Sequence, residues 1–111
     1  MFIGKVAMFN SKRGFGFIDM PTNGEKKNIY FHCSDIHPQS KLKTITRDDY
    51  VAFNLKKGPK GLNAVNVCYT SEIKDPKYIF EHVDPRQREC QEVDLFLRIH
   101  CGKEYYTQNA T

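Results

Sequence analysis

The chain has 111 residues and a formal net charge of +4 at pH 7, which allows one compact domain with an extension but not two large domains. It has no long apolar run and no signal-peptide-like start, so nothing marks it as secreted or membrane-spanning. Its four cysteines form no Cys-x-x-Cys pair, which favours reduced thiols, and we expect a cytoplasmic protein with a nuclear pool left open.

Five short strands bounded by turns are predicted in the first part of the chain. Pro21 to Gly24 and Gly58 to Gly61 have turn composition, and residues 35–49 are polar and irregular. The predicted strands cover residues 3–10, 15–19, 28–33, 50–56 and 62–69. Five short strands without a helix predict an all-β fold, a small barrel that closes its own edges.

The second and third strands carry flat rings on one face. Successive side chains of a strand point to opposite faces, so the rings share one face while an apolar row of Ile18, Ile29 and Phe31 lies on the other. Unpaired bases can stack on such rings, and Gly16 between two of them allows a close approach. Burial in an ordinary core stays open as the alternative. The four rings are Phe15, Phe17, Tyr30 and His32.

Residues 72–111 form an extension of a different kind. Residues 1–71 carry 11 Lys and Arg against 5 Asp and Glu, a net +6, whereas residues 72–111 carry 6 against 8, a net −2. A basic first part is typical of a domain that binds a polyanion. The sequence therefore divides into a barrel over 1–71 and an extension over 72–111.

The extension is predicted to contain further strands at residues 78–83 and 93–100, with Asp75-Pro76 and Asp84-Pro85 as breaks in the chain. In the second segment apolar side chains alternate with others, which indicates a half-buried strand. We expect this row to pack on the barrel, to pair with residues 78–83, or to make a homodimer through residues 93–100. The row consists of Val93, Leu95, Leu97 and Ile99.

Four segments resemble the cold-shock domain family over roughly residues 2–70. Residues 4–18, with Lys-Arg-Gly-Phe-Gly-Phe-Ile at 12–18, resemble its first two strands. Residues 28–36 resemble its second motif, with His-x-Ser-x-Ile at 32–36, and residues 50–53 and 60–67 resemble its last two strands. The resemblance implies an oligonucleotide-binding-type barrel of five antiparallel strands.

The resemblance also implies a site for single-stranded RNA or DNA. The four rings correspond to the family's stacking residues, and three cations, Lys12, Arg13 and Lys60, are expected to meet phosphates or bases. Asn10 matches a family residue that hydrogen-bonds a base edge, with a strand-ending turn role as the alternative. Met8 stands where the family usually has Trp and is expected to lie against a base in its place. Ala7 replaces a lysine, and Cys33 replaces an aromatic residue. Because a stacked base is worth about 1–3 kcal/mol, we expect weaker binding than the family norm.

The predicted function is single-stranded nucleic-acid binding, with RNA favoured, in the regulation or chaperoning of transcripts. The alternative is a protein-interaction or dimerisation module with reduced nucleic-acid affinity, which the three departures and the apolar row favour. No segment resembles a nucleophile motif, so no enzyme and no cofactor are predicted. The cysteines and histidines lack the paired spacing of zinc ligands, so no metal is predicted.

Overall fold

The structure, a computed structural model, describes residues 1–38, 40, 50–59 and 61–102. Five strands close into a barrel in the order β1-β2-β3-β5-β4. The predicted barrel is confirmed, and the predicted strand ends differ from the observed ones by two residues at most. The strands are β1 (Phe2–Asn10), β2 (Phe15–Met20), β3 (Lys27–His32), β4 (Tyr50–Gly58) and β5 (Gly61–Tyr69).

The prediction of a wholly antiparallel barrel is wrong at one seam. β3 pairs with β5 in parallel through Tyr30 and Asn63, whereas the other four neighbouring pairs are antiparallel. The chain crosses from the end of β3 to β4 and returns along β5, so β3 and β5 run in the same direction. A parallel pair needs this kind of crossover, because a tight hairpin can join only antiparallel strands.

The barrel interior is filled as the alternation in β2 and β3 predicts. Ile18, Ile29 and Phe31 are buried in it, and Phe9 stacks on Phe31 with ring centroids 5.8 Å apart. Gly16 belongs to this interior. A Cβ atom there would lie 2.5 Å from the Met8 carbonyl oxygen and 2.8 Å from the Phe31 ring. The close approach that Gly16 permits is therefore that of a core ring inside the barrel, not of a ligand outside it.

The extension is helical, so the prediction of strands at 78–83 and 93–100 is wrong. Its elements are α1 (Pro76–His82), α2 (Pro85–Arg88) and α3 (Gln91–Cys101). The Asp-Pro pairs start helices rather than break the chain: the Asp75 carboxylate accepts from the Lys77 N–H, and Asp84 accepts from the Arg86 N–H. None of the described helices is long and apolar enough to span a membrane.

Burial along α3 follows the helical period. The buried side chains are spaced three and four residues apart, because one face of a helix returns every 3.6 residues. Leu95 and Ile99, which the strand prediction placed beside Val93 and Leu97, are 57% and 75% exposed. A homodimer made by strand pairing through residues 93–100 therefore has no basis. The buried residues of α3 are Val93, Phe96, Leu97 and Cys101.

The helices pack on the outer face of β1 and β4. Ile3 of β1 is fully buried among helical side chains, and Tyr50 of β4 packs against the same cluster with its ring 4.8 Å from that of Phe96. The outer face of β2 and β3 remains accessible, as the exposure of Tyr30 shows. The part of the extension that the structure describes thus leaves the predicted ring surface uncovered. The helical side chains of the cluster are Ile79, Phe80, Val83, Cys90, Val93, Phe96, Leu97 and Cys101.

A buried glutamine joins the helices to the barrel. The Ile3 N–H donates to Gln87 Oε1 at 2.7 Å, and Gln87 Nε2 donates to the carbonyl oxygens of Ile3 at 2.7 Å and Pro21 at 3.1 Å. The register Lys5–Asp19 would place Ile3 opposite Pro21, which has no N–H to give. The Gln87 amide therefore supplies the hydrogen bonds that a direct pair of Ile3 and Pro21 would otherwise make between β1 and β2.

Stability is expected to fall between pH 10 and 12 through Tyr50. Burial, as the largest cause, and the Glu92 carboxylate, which accepts from the Tyr50 hydroxyl at 3.4 Å, together raise the pKa of Tyr50 from 10.0 to about 12. A group whose pKa is higher in the folded chain than in the unfolded chain stabilises the fold at pH values below its unfolded pKa. This contribution to the free energy of unfolding is lost as the pH rises through the folded pKa. Tyr50→Phe should show a smaller decrease in unfolding free energy over this range. Equal decreases in both proteins would contradict the assignment.

Candidate nucleic-acid interface

Six predicted site residues lie on one outer face of the barrel, in two neighbouring rows of paired residues that run across β1, β2 and β3. We call each row a rung. In the first rung Phe17 lies between Met8 of β1 and Tyr30 of β3, and in the second Phe15 lies between Asn10 and His32. Residues two apart on a strand share a face, so the rungs stand side by side. We call this surface the platform: Met8, Asn10, Phe15, Phe17, Tyr30 and His32.

A bulge in β1 places Met8 on the platform. Val6 pairs with Ile18 inside the barrel, but the register shifts before Met8 pairs with Phe17, so Ala7 is the extra residue. A bulge re-aims the side chains that follow it. Met8 is therefore 41% exposed, whereas strict alternation from Val6 would have turned it inward. Its flexible thioether is apolar and can lie against a base.

The rings of the platform pack on one another outside the barrel core. Tyr30 stacks over Phe15 with centroids 6.1 Å apart and planes 21° apart. Phe17 meets both rings edge-on, at 6.0 Å from Phe15 and 5.8 Å from Tyr30. Such contacts hold the rings in place at low conformational cost. Tyr30 keeps 36% of its surface exposed, which leaves ring area open to a ligand.

Asn10 shapes the turn that carries the basic residues. Its Oδ1 accepts from the backbone N–H groups of Lys12 at 3.1 Å and Arg13 at 3.0 Å. Its carbonyl oxygen accepts from Gly14 N–H at 2.8 Å, and Gly14 has a φ of 71°, which favours glycine. The turn role of Asn10 is thus present, and Asn10 also pairs with Phe15 at the edge of the platform. Lys12 and Arg13 are exposed beside Phe15.

His32 is held in one orientation by the short 3-10 helix that follows β3. Its Nδ1 accepts from the Ser34 N–H at 3.1 Å, and its own backbone N–H donates to Asp35 Oδ2 at 2.9 Å. Because Nδ1 acts as an acceptor, the neutral ring carries its proton on Nε2. The exposed ring is therefore presented to a ligand with a fixed orientation and a donor.

An open groove of 890 Å³ continues from the platform to the parallel seam between β3 and β5. Sequence reasoning missed most of its lining. Asn28 could have been predicted from the sequence, because alternation in β3 puts it on the same face as Tyr30. Its Nδ2 donates to Asp19 Oδ1 at 3.1 Å. The groove is lined by Phe17, Lys27, Asn28, Ile29, Tyr30, Pro59, Leu62 and Asn63.

Two further sequence predictions concern Lys60 and the cysteine next to His32. Lys60 lies outside the residues that the structure describes, so its contact with phosphate stays a prediction. Cys33 is exposed, and its Sγ lies 3.7 Å from His32 Nδ1. Over the described ranges, no three His, Cys, Asp or Glu side chains are grouped in a way that could hold a metal ion.

Comparison with known proteins settles the family. The model of the 'Cold-shock' DNA-binding domain matches residues 2–70, which is more than half of the chain. The chain belongs to the cold-shock domain family. Domains of this family bind nucleic acid, and the family match ends at residue 70, before the first helix of the extension begins at Pro76.

Several cold-shock proteins are similar to this chain over the barrel. It is 41% identical over 64 residues to the cold shock-like protein CspJ of Salmonella typhimurium (strain SL1344), which covers 58% of this chain and 87% of the relative. It is 42% identical to the cold shock-like protein CspI of Escherichia coli (strain K12) with the same coverage. Identity to the major cold shock protein of Micrococcus luteus is 37% over 67 residues, 60% of this chain and 96% of the relative.

Among solved structures, "drosophila Unr CSD456" matches 61% of this chain with a TM-score of 0.48 and 20% identity. This chain spans only 26% of that protein.

Proposed function

We propose that this cold-shock domain binds single-stranded nucleic acid, in the cell RNA, by stacking bases on the platform. The observation that carries the proposal is the pair of rungs with three rings and His32 on one uncovered face. Stacking accepts any base, so binding is mildly sequence-selective. Proteins of this kind keep transcripts unpaired, which is the role we propose for this chain.

Charge around the platform supports a path for the phosphate backbone. Lys12 and Arg13 stand at the Phe15 end, and Lys27 lines the groove beyond Tyr30. A strand that crosses the two rungs would thus meet cations at both ends, while its bases face the rings. Met8 supplies an apolar contact where Trp is usual in the family, so each base on that rung gains less stacking energy.

Removal of two rings tests the proposal. In a fluorescence anisotropy titration of labelled oligo-U, Phe15→Ala/Phe17→Ala is expected to weaken binding by about 30-fold or more, because each stacked base is worth about 1–3 kcal/mol and 1.4 kcal/mol is tenfold. The slope of log K against log salt should be near −0.7 for each phosphate contact in the parent. The same titration with oligo-dT compares RNA with DNA.

Ile99→Ala is the matched control, since it removes an exposed apolar side chain from α3, away from the platform. It should bind as the parent does. Equal binding by the parent and the double variant would overturn the platform as the site. Absence of binding by the parent at low salt would instead favour the alternative, a protein-interaction module.

That alternative has one structural observation behind it. Leu95 and Ile99 lie one turn apart on α3 and are both largely exposed, so they form a small apolar patch on one face of the helix that can meet a partner. Homodimerisation through α3 would be detected by sedimentation at rising protein concentration. If the Leu95→Ala variant and the parent are both monomeric at every concentration, homodimerisation through α3 is excluded.

A further inference from the structure

Another exposed aromatic ring, that of Tyr78, lies near the outer face of β4 and β5 rather than near the groove between β3 and β5. Tyr78 of α1 forms one wall of a crevice of 340 Å³ between the helical extension and the outer face of β4 and β5. Asn54 of β4 and Asn66 of β5 are exposed at its floor. This volume is at the small end of the range for ligand pockets, about 300–1,000 Å³, and suits one planar group better than a protein segment.

The Tyr78 ring is fixed in a way that suits stacking. It is 48% exposed, and its centroid lies 3.9 Å from that of His82, with 16° between the planes. His82 is held in turn, because its Nδ1 lies 2.8 Å from the Tyr78 carbonyl oxygen. One face of the Tyr78 ring is therefore covered by His82, and Tyr78 also lines the crevice. A ring supported from behind is already ordered before a base stacks on it.

The floor of the crevice presents amides at a distorted point of the sheet. Asn66 has a φ of 54°, a left-handed conformation that Asn adopts more readily than most residues. The register between β4 and β5 shifts here, with Ala52 opposite Cys68 and Asn54 opposite Val65, so Asn66 is part of a bulge. The bulge carries the Asn66 amide outward beside Asn54. Amides can read the hydrogen-bonding edge of an unpaired base.

The crevice and the groove are separate cavities whose lining residues lie close together on the outer face of β4 and β5. Asn63, which lines the groove, pairs directly with Lys56, and Asn54 stands two residues from Lys56 on the same outer face. A strand that leaves the groove at Asn63 would therefore pass the exposed Lys56 ammonium and reach the crevice after about 7 Å, two residues of rise along β4.

Charge on the far side of the crevice is compatible with phosphate. A neighbouring pocket shares His37, Cys68 and Ile73 with the crevice and carries the exposed Lys74. Glu72 also lines that pocket, but its Oε1 accepts from the Tyr69 N–H at 3.0 Å and from the Ser40 hydroxyl. Its carboxylate is thus engaged by protein donors.

We propose that the crevice is a second base-binding site, in which Tyr78 stacks on one nucleotide of a strand already bound to the platform and groove while Asn54 and Asn66 contact its edge. The proposal rests on the proposed function, because the strand must first occupy the platform. The helical extension then lengthens the footprint of the barrel by adding a ring.

The test compares two lengths of labelled oligo-U, about 6 and about 14 nucleotides, both within the site sizes of single barrels of this type. Tyr78→Ala is expected to weaken binding of the long oligonucleotide by about fivefold or more and to leave the short one within twofold of the parent. Tyr78→Phe keeps the ring and should bind both as the parent does. Asn66→Gly keeps the positive φ, removes the amide, and should weaken only the long oligonucleotide.

Leu95→Ala is the control for loss of an exposed side chain from the extension. The inference is overturned if Tyr78→Ala binds the long oligonucleotide as tightly as Leu95→Ala does, or if it weakens both lengths equally. In those cases the platform and the proposed function still stand. If the parent binds neither length, the proposed function fails and the second site fails with it.

Discussion

Gln87→Leu is expected to lower the free energy of unfolding by at least about 3 kcal/mol. The substitution leaves the Ile3 N–H and the carbonyl oxygens of Ile3 and Pro21 without their hydrogen-bond partner in a buried place. Each buried polar group left unsatisfied costs about 1–3 kcal/mol. Urea denaturation followed by circular dichroism measures the change, with the slope of the transition checked for two-state behaviour.

Gln91→Leu makes the same chemical change at an exposed position at the start of α3. It should alter stability by no more than about 0.5 kcal/mol, as surface substitutions usually do. A Gln87→Leu variant as stable as Gln91→Leu would mean that the three backbone groups find other partners. The glutamine would then have no special part in joining the helices to the barrel.

Removal of the extension is expected to have a still larger effect. A chain that ends at Thr70 retains the whole family match but uncovers Ile3 and loses the Gln87 hydrogen bonds. Burial of an Ile side chain alone is worth about 1.5–3 kcal/mol. Water can replace Gln87 in the truncated chain, so each of the three lost hydrogen bonds adds only about 0.5–1.5 kcal/mol. Together these losses still approach the total stability of a small domain, about 5 kcal/mol at the low end. We expect the truncated chain to lack a cooperative thermal transition.

The matched variant is the same truncated chain with Ile3→Lys and Pro21→Thr. Lys removes the uncovered apolar side chain, and Thr supplies an N–H at the position where β2 has none. This chain should regain a cooperative transition. If the unmodified truncated chain already melts near the temperature of the full chain, the barrel folds without its helices.

The barrel could be predicted because its strands bury one face each. Ile18, Ile29 and Phe31 alternate with rings, and a period of two residues has one simple interpretation when turns bound it. The cold-shock resemblance added the type of barrel and the role of the rings in stacking. Both sources missed the parallel pairing of β3 with β5, since local patterns carry no information on which strands meet.

The extension could not be predicted from alternation. Between Val93 and Ile99 large apolar residues are so frequent that periods of 2 and 3.6 both find support, and the segment is short. The local signal that indicates helices lies earlier in the chain, at two Asp-Pro pairs. Asp75-Pro76 and Asp84-Pro85 each place an N-cap before a proline at the first helical position, a combination that begins helices.

The site was predicted in part. The four rings lie where alternation in β2 and β3 puts them, and the platform forms from those two strands. Met8 needed the bulge at Ala7 to face outward, and nothing in the sequence around it indicates a bulge. The groove and the crevice depend on contacts between β5, β3 and α1, which are far apart in the chain.

The hydrogen bonds of Gln87 also affect how the protein folds while it is being synthesised. Ile3 and Gln87 are separated by 84 positions, so Ile3 leaves the ribosome well before the glutamine on which its hydrogen bonds depend. Contacts of such sequence separation slow folding, because a long loop must close before they form. We expect the nascent barrel to acquire its rings and turns early, yet to remain open at the start of β1 until α2 has been synthesised. During that interval the exposed Ile3 edge is where a chaperone would bind.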